Sequence, residues 1–178
     1  EANHRLMLAS VNKIMYRRII QMKKFTSIVL FLLTSTTTLA LDNKVSPDLK
    51  QLAQNYFQKM VATQAPSATK KDLEAYLELL TDDVGHTHLP WEIDGSRLPD
   101  GKQAMRKGMT FYLGAHTEYK AELLSVHVYN HSAISIRYKN FAKGIHPQNN
   151  QAIEYSQTMM EVLEMEGDKV AVIRKYHE

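Results

Sequence analysis

The feature that most constrains the fold is a two-residue alternation through the last third of the chain, from Thr117 to Glu178. Tyr119, Ala121, Leu123, Ser125, His127 and Tyr129 fall on one side of an extended backbone, and Lys120, Glu122, Leu124, Val126 and Val128 on the other. A period of two is the period of a strand, because successive Cβ atoms point to opposite faces. Asn130-His131 can turn the chain, after which Ile134, Ile136 and Tyr138 alternate with Ala133, Ser135, Arg137 and Lys139. Gly144 to Asn150 reads as a loop, being built from Gly, Pro and Asn. Gln151 to Met165 is a third run, and Gly167-Asp168 turns it into a shorter fourth strand, Lys169 to His177. Links this short join antiparallel neighbours, since a parallel return needs a dozen or more residues. The stretch is therefore a meander, and something apolar must cover one of its faces.

The cover comes from the residues before it. Ser46-Pro47-Asp48 offers an N-cap and a proline at the first helical position. Leu49, Leu52, Ala53, Tyr56, Phe57, Met60 and Val61 then recur at helical spacing, one wide apolar stripe. A second helix opens at Thr69 or Lys70, with Leu73, Tyr76, Leu77 and Leu80 as its stripe, and Thr81-Asp82-Asp83 ends it. Val84 to Leu89 reads as a short extended segment before Pro90-Trp91, and Glu92 to Gly101 as a loop. A third helix starts at Pro99-Asp100-Gly101, turns Ala104, Met105, Gly108, Met109, Tyr112 and Leu113 inward, and is closed by Gly114. Helices grouped before an antiparallel sheet make an α+β domain. A sheet curled around those helices cannot close at its ends, which leaves a cone with a deep pocket.

The first forty residues read differently. Met22-Lys23-Lys24 is a positive start, Phe25 to Leu33 an apolar run, and Thr34 to Ala40 a small, Ser/Thr-rich region. These are the three parts of a secretory signal peptide, and the run is shorter than the ~20 residues of a membrane span. The expected organisation is an upstream or alternative-start segment at 1–21, a signal peptide at 22–40 cleaved after Ala40, and one domain at 41–178. The competing reading of the leader is an N-terminal anchor helix. The expected location is periplasmic or secreted, with no stable membrane insertion after cleavage. The whole chain carries 22 basic and 19 acidic side chains; six basic groups and one acidic group lie in residues 1–40, leaving 16 and 18. The excess of positive charge thus belongs to the leader, and the domain has no basic field for nucleic acid. The absence of cysteine decides little about compartment.

Three motifs then carry a resemblance. Leu79-Leu80-Thr81-Asp82-Asp83-Val84, His88-Leu89-Pro90 and Gly101-Lys102-Gln103-Ala104-Met105, with a closing Glu166-Gly167-Asp168-Lys169-Val170 and Arg174-Lys175-Tyr176, resemble the SnoaL-like branch of the nuclear transport factor 2-like superfamily. The resemblance covers roughly residues 48–178. It implies a curved-sheet cone with a hydrophobic pocket, commonly a homodimer, and uses as different as ester cyclase, ketosteroid isomerase, dehydratase and epoxide hydrolase. Fold analogy does not choose among these.

Candidate site residues follow. His86 and His88, two apart on one strand, face the same way. As a metal pair they need a third ligand that nothing nearby supplies, so no metal is expected. Otherwise one imidazole lines the pocket and the other bonds to a loop; the resemblance places His88 at the pocket mouth. Trp91 is either a pocket wall or lid, or ordinary core packing. Glu161 sits in the doubly apolar run Met159-Met160-Glu161-Val162-Leu163. Buried there, it is suited to general acid/base work; the resemblance puts it one residue from the acid/base Asp of the ester cyclases, an offset that can flip it to the other face. The alternative is a Glu paired with Arg137 or Arg174 on the outer or dimer face. His127 and Tyr155 either line the pocket or meet a partner subunit, and Tyr112 faces it from the third helix. Two functions remain open. One is a cofactor-free isomerase, cyclase or lyase using His88 and Glu161 on a small, largely apolar carbonyl compound. The other is a non-catalytic module that binds a small apolar molecule or dimerises, with His86, Trp91, Tyr112, His127 and Tyr155 as ligand contacts.

Overall fold

The computed structural model describes residues 48–178. The predicted leader, its cleavage site, Ser46 and Pro47 lie outside the described residues. Among the described residues no helix is long and apolar enough to cross a membrane.

Helix α1 spans Leu49–Gln64. Its cap is Asp48, whose carboxylate accepts from the amides of Lys50 and Gln51 at 3.0 and 3.2 Å. These are donors that a helix start otherwise leaves unpaired. Helix α2, Lys70–Leu77, opens on a full capping box between Thr69 and Asp72. It stops one turn earlier than the apolar stripe suggests. Leu80, expected on the helix, is the first residue of strand β1, Leu80–Leu89. The closing pair of the last strand captures it: Leu80 lies opposite Val170, and the Val170 amide donates to the Leu79 carbonyl at 2.9 Å. β1 turns through a cis Leu89–Pro90 bond into the loop before helix α3, Gly101–Tyr112.

Strands β2 (His116–Tyr129), β3 (Ala133–Ile145), β4 (Ala152–Glu166) and β5 (Lys169–His177) form the antiparallel meander. β1 adds to its far edge, parallel to β5, giving the order β1-β5-β4-β3-β2. The three helices and this mixed, curved sheet make the expected α+β cone, with one parallel pair in an otherwise antiparallel sheet.

The core lies between α1, α2 and the inner face of the sheet. Tyr56, Leu73, Tyr76 and Leu77 meet Ile134, Ile136, Leu163 and Ile173, all with almost no exposure. Burial of each such aliphatic side chain contributes ~1.5–3 kcal/mol. Helix α3 is held differently. None of its residues is fully buried, and only Met105 and Met109 reach the core. Its start is seated by Gly101, where a Cβ would meet the Val84 carbonyl oxygen at 2.3 Å. The rest of the helix roofs a cavity.

Two bulges set which side chains face that cavity. The register between β2 and β3 shifts between Leu123 and Ser125. The register between β4 and β5 shifts so that Ala171 is left over between Val170 and Val172. One extra residue flips every side chain beyond it, because the period is two.

Candidate functional site

The inward residues form rows across the sheet. His86, Ile173, Leu163 and Ile134 make one row; His88, Lys175, Glu161 and Ile136 the next; His177, Met159 and Tyr138 a third. Beyond these come Gln157 with Asn140, then Tyr155 with Ala142 and Tyr119. The rows thus run from apolar, through ionisable, to neutral and polar. Over the last four rows and His86 of the first lies a cavity of about 870 Å³, roofed by Met105, Met109 and Tyr112 and floored by Tyr76, Tyr138 and Met159. Glu92, Asp94, Ser96 and Leu98 line it from the loop before α3. This volume suits a drug-sized molecule.

Beneath the floor is a buried polar network. Glu161 has no exposed surface. Its Oε2 accepts from the Tyr56 hydroxyl at 2.7 Å, and its Oε1 accepts from the Tyr138 hydroxyl at 2.7 Å. The Tyr76 hydroxyl lies 3.0 Å from that of Tyr56 and donates to it. Lys175 Nζ faces the same Oε1 at 3.5 Å. Burial first, and the Glu161 charge second, push the phenols of Tyr56, Tyr76 and Tyr138 well up. They therefore stay protonated and serve as donors. A buried carboxylate is tolerated only when paired and hydrogen-bonded, and Glu161 meets both conditions. Tyr138 and Lys175 also line the cavity, so they connect Glu161 to any bound molecule.

Beside Lys175 stand three imidazoles. His88 Nδ1 lies 3.2 Å from His177 Nε2, and the His86 and His88 rings meet edge to face at 4.6 Å. Burial, then the Lys175 charge, then His88, lower the His86 imidazole to about 2. Burial, then Lys175, lower His88 to about 4, and the same two causes lower His177. At neutral pH all three are uncharged. In the His88–His177 hydrogen bond one ring donates and the other accepts, so His88 keeps a nitrogen free to take a proton when its Nδ1 is the donor. Among the described residues no cluster of His, Asp and Glu forms a set able to hold a metal ion.

The structure brings His86, His88, Tyr112 and Tyr155 to the cavity. Trp91 is neither wall nor core: it is 72% exposed, its ring edge-on to His177 at 4.6 Å on the rim. Glu161 faces inward but stops one contact short of the cavity, behind Tyr138 and Lys175. It pairs with neither arginine; Arg174 binds Glu164 and Arg137 binds Glu178. The bulge at Ala171 is the reason. Counting back from the Gly167-Asp168 turn without it sets Arg174 opposite Glu161; with it, Lys175 takes that place. His127 is exposed and outside the cavity, opposite Ser135, because the bulge after Leu123 turns it to the outer face. Sequence reasoning missed Lys175, His177, Tyr138 and Asn140. The alternation Ile173, Lys175, His177 in an apolar final strand carries the first two, once the bulge is placed.

No family model and no curated relative matches the sequence. Solved structures do. The chain is similar to an NTF2-like protein from Anabaena variabilis ATCC 29413, at 17% identity and a TM-score of 0.53, over 72% of this chain and 88% of that one. It is similar to a ketosteroid isomerase-like protein from Erwinia carotovora atroseptica SCRI1043, at 12% identity and a TM-score of 0.52, over 76% and 97%. It is also similar to an LEH-like epoxide hydrolase from M. tuberculosis, at 11% identity and a TM-score of 0.51, over 72% and 84%. Likenesses at such identities establish the fold, the nuclear transport factor 2-like cone, and leave the chemistry to the site.

Proposed function

We propose that the domain is a cofactor-free enzyme of isomerase, cyclase or lyase type, which moves a proton at the carbon beside the carbonyl of a small, largely apolar compound. One observation carries the reading: Lys175, adjacent to the neutral base His88 in the sheet, shares a buried carboxylate oxygen with the cavity-lining Tyr138. Proton abstraction beside a carbonyl sends the C–H electron pair onto the carbonyl oxygen. His88 takes the proton, and Lys175 meets the charge that develops on oxygen; Tyr138, whose one proton goes to Glu161, helps hold that carboxylate beside Lys175. Fixed positive groups and donors aimed at developing charge are the usual large contribution to such catalysis. The enolate then has three fates: reprotonation at another carbon, attack within the molecule, or loss of a neighbouring leaving group. Glu161 acts through its two cavity-facing partners as a positioning residue.

The structural neighbours, described as a ketosteroid isomerase-like protein and an LEH-like epoxide hydrolase, support a pocket used for chemistry without selecting the reaction. The test is deuterium incorporation beside the carbonyl of benzylacetone, followed by NMR. Wild type accelerates exchange over buffer, and His88→Ala loses ~10²-fold or more of that acceleration. No acceleration by wild type across a panel of such ketones leaves the non-catalytic binding module as the reading.

Export and a homodimer through the outer sheet face belong to the same proposal. The three-part leader supports the first. Leu124 and Tyr129, both more than 40% exposed, support the second. Mass spectrometry of periplasmic protein, with a new N-terminus near Leu41, and light scattering at micromolar concentration test them.

A further inference from the structure

Two buried polar atoms among the cavity's own lining residues have no partner. One is His86 Nε2, on the strand at the sheet's far edge; the other is Asn140 Oδ1, on β3. Orphaned buried polar atoms are rare, and leaving one unsatisfied costs free energy. Both belong to side chains that line one cavity, in different regions of its wall. Three strand spacings of ~4.8 Å separate β1 from β3, so a molecule must be extended to reach both.

The two ends ask for different chemistry. At the first, His86 stands beside Lys175 and His88. With its ring proton on Nε2 it donates, and Lys175 donates beside it, so the matching ligand atom is an acceptor without a proton. At the second, Asn140 Nδ2 lies 3.4 Å from the Tyr119 hydroxyl, and Oδ1 is free to accept. Tyr119, Tyr155 and Gln157 surround it, and none is charged; burial pushes the Tyr119 phenol up to about 12. An uncharged group that donates to Oδ1 is a hydroxyl or an N–H. A hydroxyl also suits the amide turned the other way, because it both donates and accepts. Between the ends the walls are Met60, Met105, Met109 and Met159, side chains that adapt to apolar shapes.

We infer that the cavity takes an elongated, mostly apolar hydroxy-ketone, its carbonyl held at the His86–Lys175 end and its hydroxyl read by Asn140. The carbonyl end rests on the function proposed above; the hydroxyl end stands on Asn140 and its neighbours alone.

The test measures binding, not turnover, so it fails separately from the deuterium experiment. Two matched pairs of probes differ only in the far hydroxyl. One is benzylacetone against raspberry ketone, its para-hydroxy derivative. The other is para-acetylbiphenyl against its para′-hydroxy derivative, which is longer and rigid. Affinities are measured by ligand-observed NMR or calorimetry on the domain. In at least one pair the hydroxylated ketone binds wild type roughly fivefold or more tighter. That preference disappears in Asn140→Ala and persists in Asn140→Asp, which keeps an acceptor. His86→Phe weakens both members of the pair equally. If the hydroxyl gives no advantage in either pair, or no probe binds up to its solubility, the inference is overturned and water alone satisfies Asn140. Should Asn140→Ala fail to fold, the paired affinities on wild type and on Asn140→Asp still decide the matter.

Discussion

The two ends of the cavity belong to one sheet and differ in what they can do. Toward β1 and β5 stand three imidazoles and Lys175, backed by the buried Glu161. Toward β2 and β3 stand Tyr119, Asn140, Tyr155 and Gln157, all neutral. Ionisable groups in a dry wall are expensive, and the fold supports them only at the first end, where Tyr56 and Tyr76 reach in from α1 and α2. At the second end, among the described residues, no helix side chain hydrogen-bonds to these groups, and they need no counter-charge. The difference assigns chemistry to one end and recognition to the other.

The contrast breaks most severely at Glu161. Glu161→Ala strips two tyrosine hydroxyls of their acceptor and leaves Lys175 beside an apolar hole. Removing one partner of a buried pair costs ~3–5 kcal/mol, so the melting temperature falls sharply in a thermal scan. Glu161→Gln keeps the acceptor oxygen and loses less. Asn140→Ala, at the neutral end, removes a group that makes one long hydrogen bond and costs less than ~1 kcal/mol.

A second consequence concerns pH. The His86 imidazole sits at about 2 when folded, against 6.5 in the unfolded chain. Between those values the unfolded chain holds a proton that the folded one refuses, so stability rises with pH across the window and is fully present above 6.5. The slope contributed by one proton is at most ~1.4 kcal/mol per pH unit. Denaturant midpoints between pH 4 and 7 should therefore climb in wild type and climb less in His86→Gln. His88, folded at about 4, adds to the slope only from 4 upward.

The smallest effect is expected at His127 and Trp91, predicted ligand contacts that lie outside the cavity. His127→Ala should leave probe affinity and melting temperature unchanged within ~0.5 kcal/mol. Trp91→Ala removes only an edge contact on the rim.

These cases show what was legible in the sequence. Alternation and helical stripes gave the elements, their order and the cone, because period alone decides which face is buried. Phase was not legible where a bulge intervened. A single surplus residue near Leu124 sent His127 outward, and another at Ala171 exchanged Arg174 for Lys175 opposite Glu161. Both sites lie in apolar or mixed runs without a glycine to mark them. The Tyr56–Glu161 contact joins positions 105 residues apart and has no local trace. The pocket histidines of β1 were legible because two residues of spacing on one strand survives any shift of register.

The central claim is that the ionisable end transfers protons through a neutral His88. Its most direct test is the pH dependence of kcat/KM for deuterium exchange into benzylacetone, which reports the free protein's groups. The imidazole is unprotonated above about 4. The rate constant should therefore rise through that pH and then level off toward neutrality, and His88→Ala should abolish the step while circular dichroism shows the fold intact. A profile that rises as the pH falls, or one that His88→Ala leaves unchanged, contradicts the claim.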